Sequence, residues 1–173
     1  MKVFGLVGWS GSGKTTLLTS VLPELARRGL TVSTMKHTHH RFDVDKPGKD
    51  SFEHREAGAN EVMVVSSKRW ALMHEHEEKQ NPDMDQLIGR MAPVDLLLIE
   101  GFKQHRHAKL EVHRPAVGKP LLCLEDPGII AVASDEALTD VKVPVLDLND
   151  SAAVTQFILD YCGIGTKEGD DAA

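Results

Sequence analysis

Eight consecutive residues constrain this chain more than anything else in it: Gly8-Trp9-Ser10-Gly11-Ser12-Gly13-Lys14-Thr15 match G-x-x-x-x-G-K-[ST] at every position. Glycines in such a loop let the backbone wrap an anion with its N–H groups pointing inward, a path that side chains would obstruct. The lysine brings a mobile positive charge to the β- and γ-phosphates of a nucleotide, and the threonine hydroxyl is suited to ligating Mg²⁺. The flanking residues agree with this reading. Residues 3–7 form an apolar run that reads as a strand. Thr15 to Arg28 carries Leu18, Val21, Leu22, Leu25 and Ala26 at helical spacing, and Gly29 closes it. A helix beginning at the loop adds its positive N-terminal end. Gly8, Trp9, Ser10, Gly11, Ser12, Gly13, Lys14, Thr15 and Thr16 are therefore assigned to the nucleotide, with Thr15 also a metal ligand.

The remainder of the chain alternates strands with helices. Strands are expected at Leu30–Met35, Glu61–Ser66, Trp70–His74 as a hairpin partner, Val94–Glu100, 109–113, 120–124, 129–133 and 143–147. Helices are expected from Asp50 to Ala57, from Met84 to Met91, and from an Asn149 cap to about Tyr161. This order implies an α/β protein: a three-layer P-loop NTPase-like fold with a mainly parallel sheet and a β-hairpin extension. At 173 residues the chain is one domain by length, a nucleotide-binding domain over 1–162 followed by a flexible acidic tail over 163–173.

Composition excludes several classes. With 41% hydrophobic and 27% charged residues the chain reads as an ordinary soluble globular protein, neither disordered nor fibrous. A formal charge of -6 argues against a surface built to clamp nucleic acid. No apolar run approaches the roughly 20 residues of a membrane span, and the charged, early-glycine start is too short for a signal peptide. Cys123 and Cys162 lie in apolar stretches and read as buried, reduced thiols. A cytoplasmic protein without a membrane or nucleic-acid partner is the expectation.

A phosphate loop needs an acid at the end of a neighbouring buried strand. Asp95 opens the strand 94–100 and Glu100 closes it, at the carboxyl edge where α/β sheets bind ligands. Glu100 is therefore assigned to Mg²⁺ or its water shell, although P-loop proteins more often use Asp there. Two basic loops follow predicted strands. Residues 36–49 hold Lys36, Arg41, Lys46 and Lys49 against Asp43 and Asp45, and residues 101–109 hold Lys103, Arg106 and Lys109 with no acid. His37, His39, His40, His105 and His107 lie in the same loops. Both loops suit a polyanionic second ligand or an acidic partner surface; solvated charge is the plainer alternative. Zinc at His37, His39 and His40 is disfavoured, because the spacing lacks i, i+4 geometry and no cysteine is near. Asp50 either positions a water or metal, as the one candidate catalytic residue, or merely caps its helix. Asp135, after an apolar strand, is a weak candidate for accepting guanine N–H bonds. Trp9 either shields the nucleotide or packs at a subunit contact.

With the phosphate loop, Lys36-His37-Thr38-His39-His40, Asp43 to Ser51 and Ile99-Glu100-Gly101-Phe102-Lys103 in view, the chain resembles the molybdopterin-guanine dinucleotide biosynthesis adapter family, MobB, over about residues 2–160. The resemblance implies a GTP- and Mg²⁺-binding protein with weak GTPase activity. It implies assistance to the guanylyltransferase that joins GMP to molybdopterin, a homodimer, and the molybdenum insertion enzyme as a further partner. It also implies that the basic loops, including Lys36, His37, His39, His40, Lys46, Lys49, Lys103 and Arg106, face the nucleotide or a bound molybdopterin. Trp9 departs from dimeric P-loop ATPases, which carry a lysine just after the first loop glycine.

Two other functions share these features. A small-molecule kinase would use the same loop, yet the acidic segment 75–83 makes a poor arginine lid. A molybdopterin carrier would bind nucleotide only incidentally. No base placed for fast hydrolysis stands out, which fits slow turnover.

Overall fold

The computed structural model describes residues 1–38, 42, 44–75, 83–103 and 105–165. The chain forms two compact units, one from Met1–His37 with the chain from Ala92 onward, the other from Thr38–Met91. The first unit is a six-stranded sheet in the order β2-β5-β1-β6-β7-β8. Its strands are β1 (Lys2–Val7), β2 (Val32–Lys36), β5 (Leu96–Glu100), β6 (Lys109–His113), β7 (Ile129–Ser134) and β8 (Val145–Asp147), and every pairing is parallel. All five residues of β5 are buried: the apolar run Leu96–Ile99, as a strand covered on both faces requires, and Glu100 at its end.

Alternation along the strands divides the sheet into two faces. Phe4, Leu6, Leu96, Leu98, Leu110, Val112, Ala131 and Ala133 form one cluster with Leu17, Leu18, Val21 and Leu25 of α1 (Lys14–Arg27) and Val154, Ile158 and Leu159 of α4 (Ser151–Cys162). The opposite parity puts Lys109, Glu111 and His113 on the second face of β6, all buried. The chain from β5 to β6 must pass β1, which lies between them, and does so in residues 101–108, with no helix among the described residues. Such crossovers usually take a dozen residues or more. Lys109 holds this short one down: its buried ammonium donates to Lys103 O (2.8 Å), His105 O (2.9 Å) and Asp126 Oδ2 (2.6 Å).

The second unit contains α2 (Asp50–Glu56), the antiparallel hairpin β3 (Glu61–Val65) and β4 (Trp70–His74), and α3 (Met84–Gly89). Within it Arg55 pairs with Asp45 at 3.2 Å and lies over the Phe52 ring, 5.0 Å from its centroid. Asp83 caps α3 by accepting from Asp85 N at 3.0 Å.

The α/β class, the mainly parallel sheet and the hairpin are as the sequence implies. Three local expectations are corrected. Residues 120–124 are no strand: 3-10 turns at Pro115–Val117 and Leu122–Leu124 occupy this region. The N–H groups of Leu122 and Cys123 go instead to the two oxygens of the Glu111 carboxylate, each at 2.9 Å. The last helix is capped by Asp150, which accepts from Ala153 N at 2.9 Å, while Asn149 turns back to Asp147 Oδ1. Lys49, not Asp50, occupies the N-cap of α2, with Asp50 as its first helical residue.

Both cysteines are free thiols, Cys162 buried and Cys123 half-buried. Burial raises both thiol pKa values, that of Cys123 to about 11. Of the expected tail, Ile164 packs on the core and residues 166–173 lie outside the described residues. No helix among the described residues is long and apolar enough to cross a membrane.

Candidate nucleotide-binding site

The phosphate loop leaves the carboxyl end of β1, in the centre of the sheet, and runs into α1. Its first glycine is required twice over. Gly8 sits at φ +150, and a Cβ there would stand 2.4 Å from Val112 O and 2.7 Å from Ser12 Oγ. The loop thus lies hard against β6, a path closed to any residue with a side chain.

Lys14 curls back over the loop and donates to Trp9 O at 2.7 Å. Partial burial lowers its pKa; Glu100 opposes the shift, whereas Lys103 and Lys36 add to it. The Thr15 hydroxyl stands 3.4 Å from both carboxylate oxygens of Glu100. Glu100 is buried at the end of β5, and Lys36, at the end of the adjacent β2, reaches its Oε1 at 3.5 Å. A buried carboxylate facing a hydroxyl is a hard oxygen donor set, which fits Mg²⁺. Glu100 and Thr15 would hold the ion, which would supply positive charge to an anion bound at the loop.

Three lysines besides Lys14 therefore surround this loop. Lys103 Nζ lies 4.3 Å from the centroid of the Trp9 ring and Lys119 Nζ 5.8 Å from it. Trp9 Nε1 donates to Pro120 O at 2.8 Å. Lys103 reaches the loop because Gly101 and Phe102, both at positive φ, turn the chain sharply after Glu100. Phe102 packs on the His37 ring with centroids 4.4 Å apart. Ser12 is buried and its hydroxyl has no partner among the described residues, whereas Thr16 O accepts the Thr19 and Ser20 hydroxyls.

Lys36, His37, Lys103, Thr15, Lys14 and Glu100 thus gather around one loop. Arg106 lies further along the crossover and lines a cavity with His107, Lys109 and Asp126. Lys46, Lys49 and Asp50 belong to the second unit. His39 and His40, and with them the histidine zinc set, lie outside the described residues, as does most of the acidic segment, 76–82.

Asp135 follows β7 and is ion-paired to Arg114. Arg114 and Lys119 were not singled out from the sequence. The rule that selects Glu100, a polar residue at the carboxyl end of a buried strand, extends by one position to Arg114, which directly follows β6. Lys119 carries no such signal.

Residues 3–135 match the family model for molybdopterin guanine dinucleotide synthesis protein B, MobB. The molybdopterin-guanine dinucleotide biosynthesis adapter protein of Escherichia coli is 43% identical over 162 residues, covering 92% of each chain. The Haemophilus influenzae protein of the same name is 41% identical over 157 residues, 90% of this chain and 86% of its own. A crystal structure of molybdopterin-guanine biosynthesis protein B superposes with a TM-score of 0.74 at 27% identity, covering 92% of this chain and 99% of that one.

Proposed function

This chain belongs to the MobB family of molybdopterin guanine dinucleotide biosynthesis adapters, and from that premise we propose that it binds GTP with Mg²⁺ at the Gly8–Thr16 loop. In this reading it assists the guanylyltransferase that joins GMP to molybdopterin and hydrolyses GTP slowly at most. The observation that carries the reading is the convergence of Lys14, Thr15 and Glu100 at one glycine-rich loop. Lys36, Lys103 and Lys119 around the loop supply the charge a triphosphate requires. The Lys36 and Lys103 loops are the surface offered to molybdopterin, whose phosphate suits the same cations. Asp135 is the residue offered to the guanine base.

The protein acts in this proposal as a cytoplasmic homodimer, with the guanylyltransferase and the molybdenum insertion enzyme as partners. Met63, Val65, Trp70 and Leu72 share one face of the hairpin and are exposed, an apolar patch of the kind that marks protein contacts. Light scattering should return the mass of two chains, falling to one in Val65→Lys.

Calorimetry with GTP, ATP and molybdopterin tests the site. GTP should bind in the presence of Mg²⁺, and Lys14→Ala should weaken it by about a hundredfold, ~2.7 kcal/mol, while circular dichroism reports an intact fold. Unchanged GTP affinity in Lys14→Ala refutes the site. Pterin binding with no nucleotide binding would instead identify a carrier.

A further inference from the structure

The pair formed by Arg114 and Asp135 has two features that a surface ion pair would lack. First, Asp135 uses only one oxygen for it. Its Oδ2 takes the Arg114 guanidinium, while Oδ1 is buried with no hydrogen-bond partner among the described residues. A buried carboxylate oxygen without a donor is costly, so natural proteins retain one where something else satisfies it. Second, Arg114 also packs on the phosphate loop. Its Nε stands 3.3 Å, and its Nη2 3.7 Å, from the position a Cβ would take on Gly13. Gly13 is at φ +96 and immediately precedes Lys14, so the guanidinium rests beside the phosphate-binding turn.

Topology gives this arrangement a direction. Arg114 directly follows β6, which lies between β1, the strand that ends in the phosphate loop, and β7, the strand that ends before Asp135. Two strand spacings, about 10 Å, separate β1 from β7. A nucleotide with its phosphates at Gly13 and Lys14 and its base directed toward β7 would span that gap across the carboxyl edge. Asp135, just past the carboxyl end of β7, then lies on the side toward which the base would be directed. A carboxylate oxygen accepts N–H bonds and donates none. Guanine offers N–H groups on its Watson–Crick edge, at N1 and at the 2-amino group. Adenine has an unprotonated N1 in place of the N1–H and lacks the 2-amino group, so an acceptor set for that pair meets a lone pair; its 6-amino donor lies on the other side of N1.

We infer that Arg114 is a positioning residue for base recognition: it fixes Asp135 through Oδ2 so that Oδ1 faces the N–H edge of guanine, and it anchors that carboxylate to the turn at Gly13. This rests on the GTP-binding reading above and adds the residue that sets the choice of base. A carboxylate free to rotate would lose the alignment even though it kept its charge, so removing Arg114 should erode discrimination while leaving phosphate binding in place. A site built to hydrogen-bond a ligand group rejects analogues lacking it strongly, because its own polar atom is then left unpaired.

The test compares GTP, ATP and inorganic tripolyphosphate by competition calorimetry on the full chain and on Arg114→Gln, Arg114→Lys and Asp135→Ala, with thermal melting recorded for each. The inference expects the wild-type chain to prefer GTP over ATP. Arg114→Gln should cut that preference by about tenfold or more, tripolyphosphate affinity should hold, and Arg114→Lys should recover part of the loss. Asp135→Ala should abolish the preference whether or not Arg114→Gln folds well. A GTP/ATP ratio unmoved by Arg114→Gln or by Asp135→Ala overturns the inference, as does a wild-type chain that does not distinguish the two nucleotides. Equal loss of GTP and tripolyphosphate in Arg114→Gln also overturns it, identifying a phosphate contact instead. Failure of the underlying reading looks different: neither GTP nor tripolyphosphate would bind the wild-type chain.

Discussion

His107 is an imidazole held where protonation is unfavourable. Both ring nitrogens are buried without a hydrogen-bond partner among the described residues. Burial, with Lys109 and His105 adding to it and Asp126 opposing it, pushes its pKa from 6.5 down to about 4. The unfolded chain therefore binds a proton at this position before the folded one does. The contribution to stability is complete above pH 6.5, shrinks as the pH falls, and is gone below about 4. In His107→Gln the decline of Tm across that window should be shallower; an unchanged slope would remove His107 from the account. Lys109 beside it is 1% exposed and fully hydrogen-bonded. Lys109→Met strips the donor from two carbonyls and from Asp126, and should cost about 3 kcal/mol or more in denaturant titration. A loss well below 1 kcal/mol would mean that the crossover is held by other contacts.

Among the elements, β5 was readable because an unbroken apolar run bounded by an acid and a glycine fits a strand buried on both faces. β6 hid its nature. Lys109-Leu110-Glu111-Val112-His113 alternates as a half-exposed strand would, yet every residue is buried. Lys109 and Glu111 are satisfied by the connections on either side of the strand, at Lys103, His105, Leu122, Cys123 and Asp126, information that strand periodicity does not carry. The same cause removed the strand expected at 120–124, because a carboxylate distant in sequence took its N–H groups. At the start of α4, Asn149 and Asp150 are both good caps by type, and only backbone geometry chooses Asp150. Asp150→Ala should cost about 1 kcal/mol, and Asn149→Ala should leave the cap bond intact. Thermal melts of the two variants separate them. In the site, loop residues and Glu100 were legible from local pattern, whereas Arg114 matters through Gly13 and Asp135, neither adjacent in sequence.

The whole molecule divides where the sequence shows no composition break. Among the described residues, every member of the main hydrophobic cluster comes from Met1–His37 or from beyond Ala92, so the six-stranded sheet has a core of its own. Replacing Thr38–Met91 by a flexible linker of about a dozen residues, enough to return from β2 to β5, should leave a cooperative unfolding transition and the Lys14-dependent nucleotide site. A chain that fails to fold would show that the second unit is required for the sheet. The hairpin was legible as two strand runs close in sequence. That it belongs to a separate unit was not, because unit boundaries are set by contacts and not by composition.

Trp9 carries one further consequence. The chain has two tryptophans, and one stands inside the phosphate loop with a lysine ammonium 4.3 Å from its ring centre and its carbonyl bonded to Lys14. Indole emission responds to nearby charge, so any ligand that draws these lysines away should alter the colour or brightness of the protein's own fluorescence. In Trp70→Phe the whole signal would originate at the loop, giving an optical gauge of occupancy that needs no added dye.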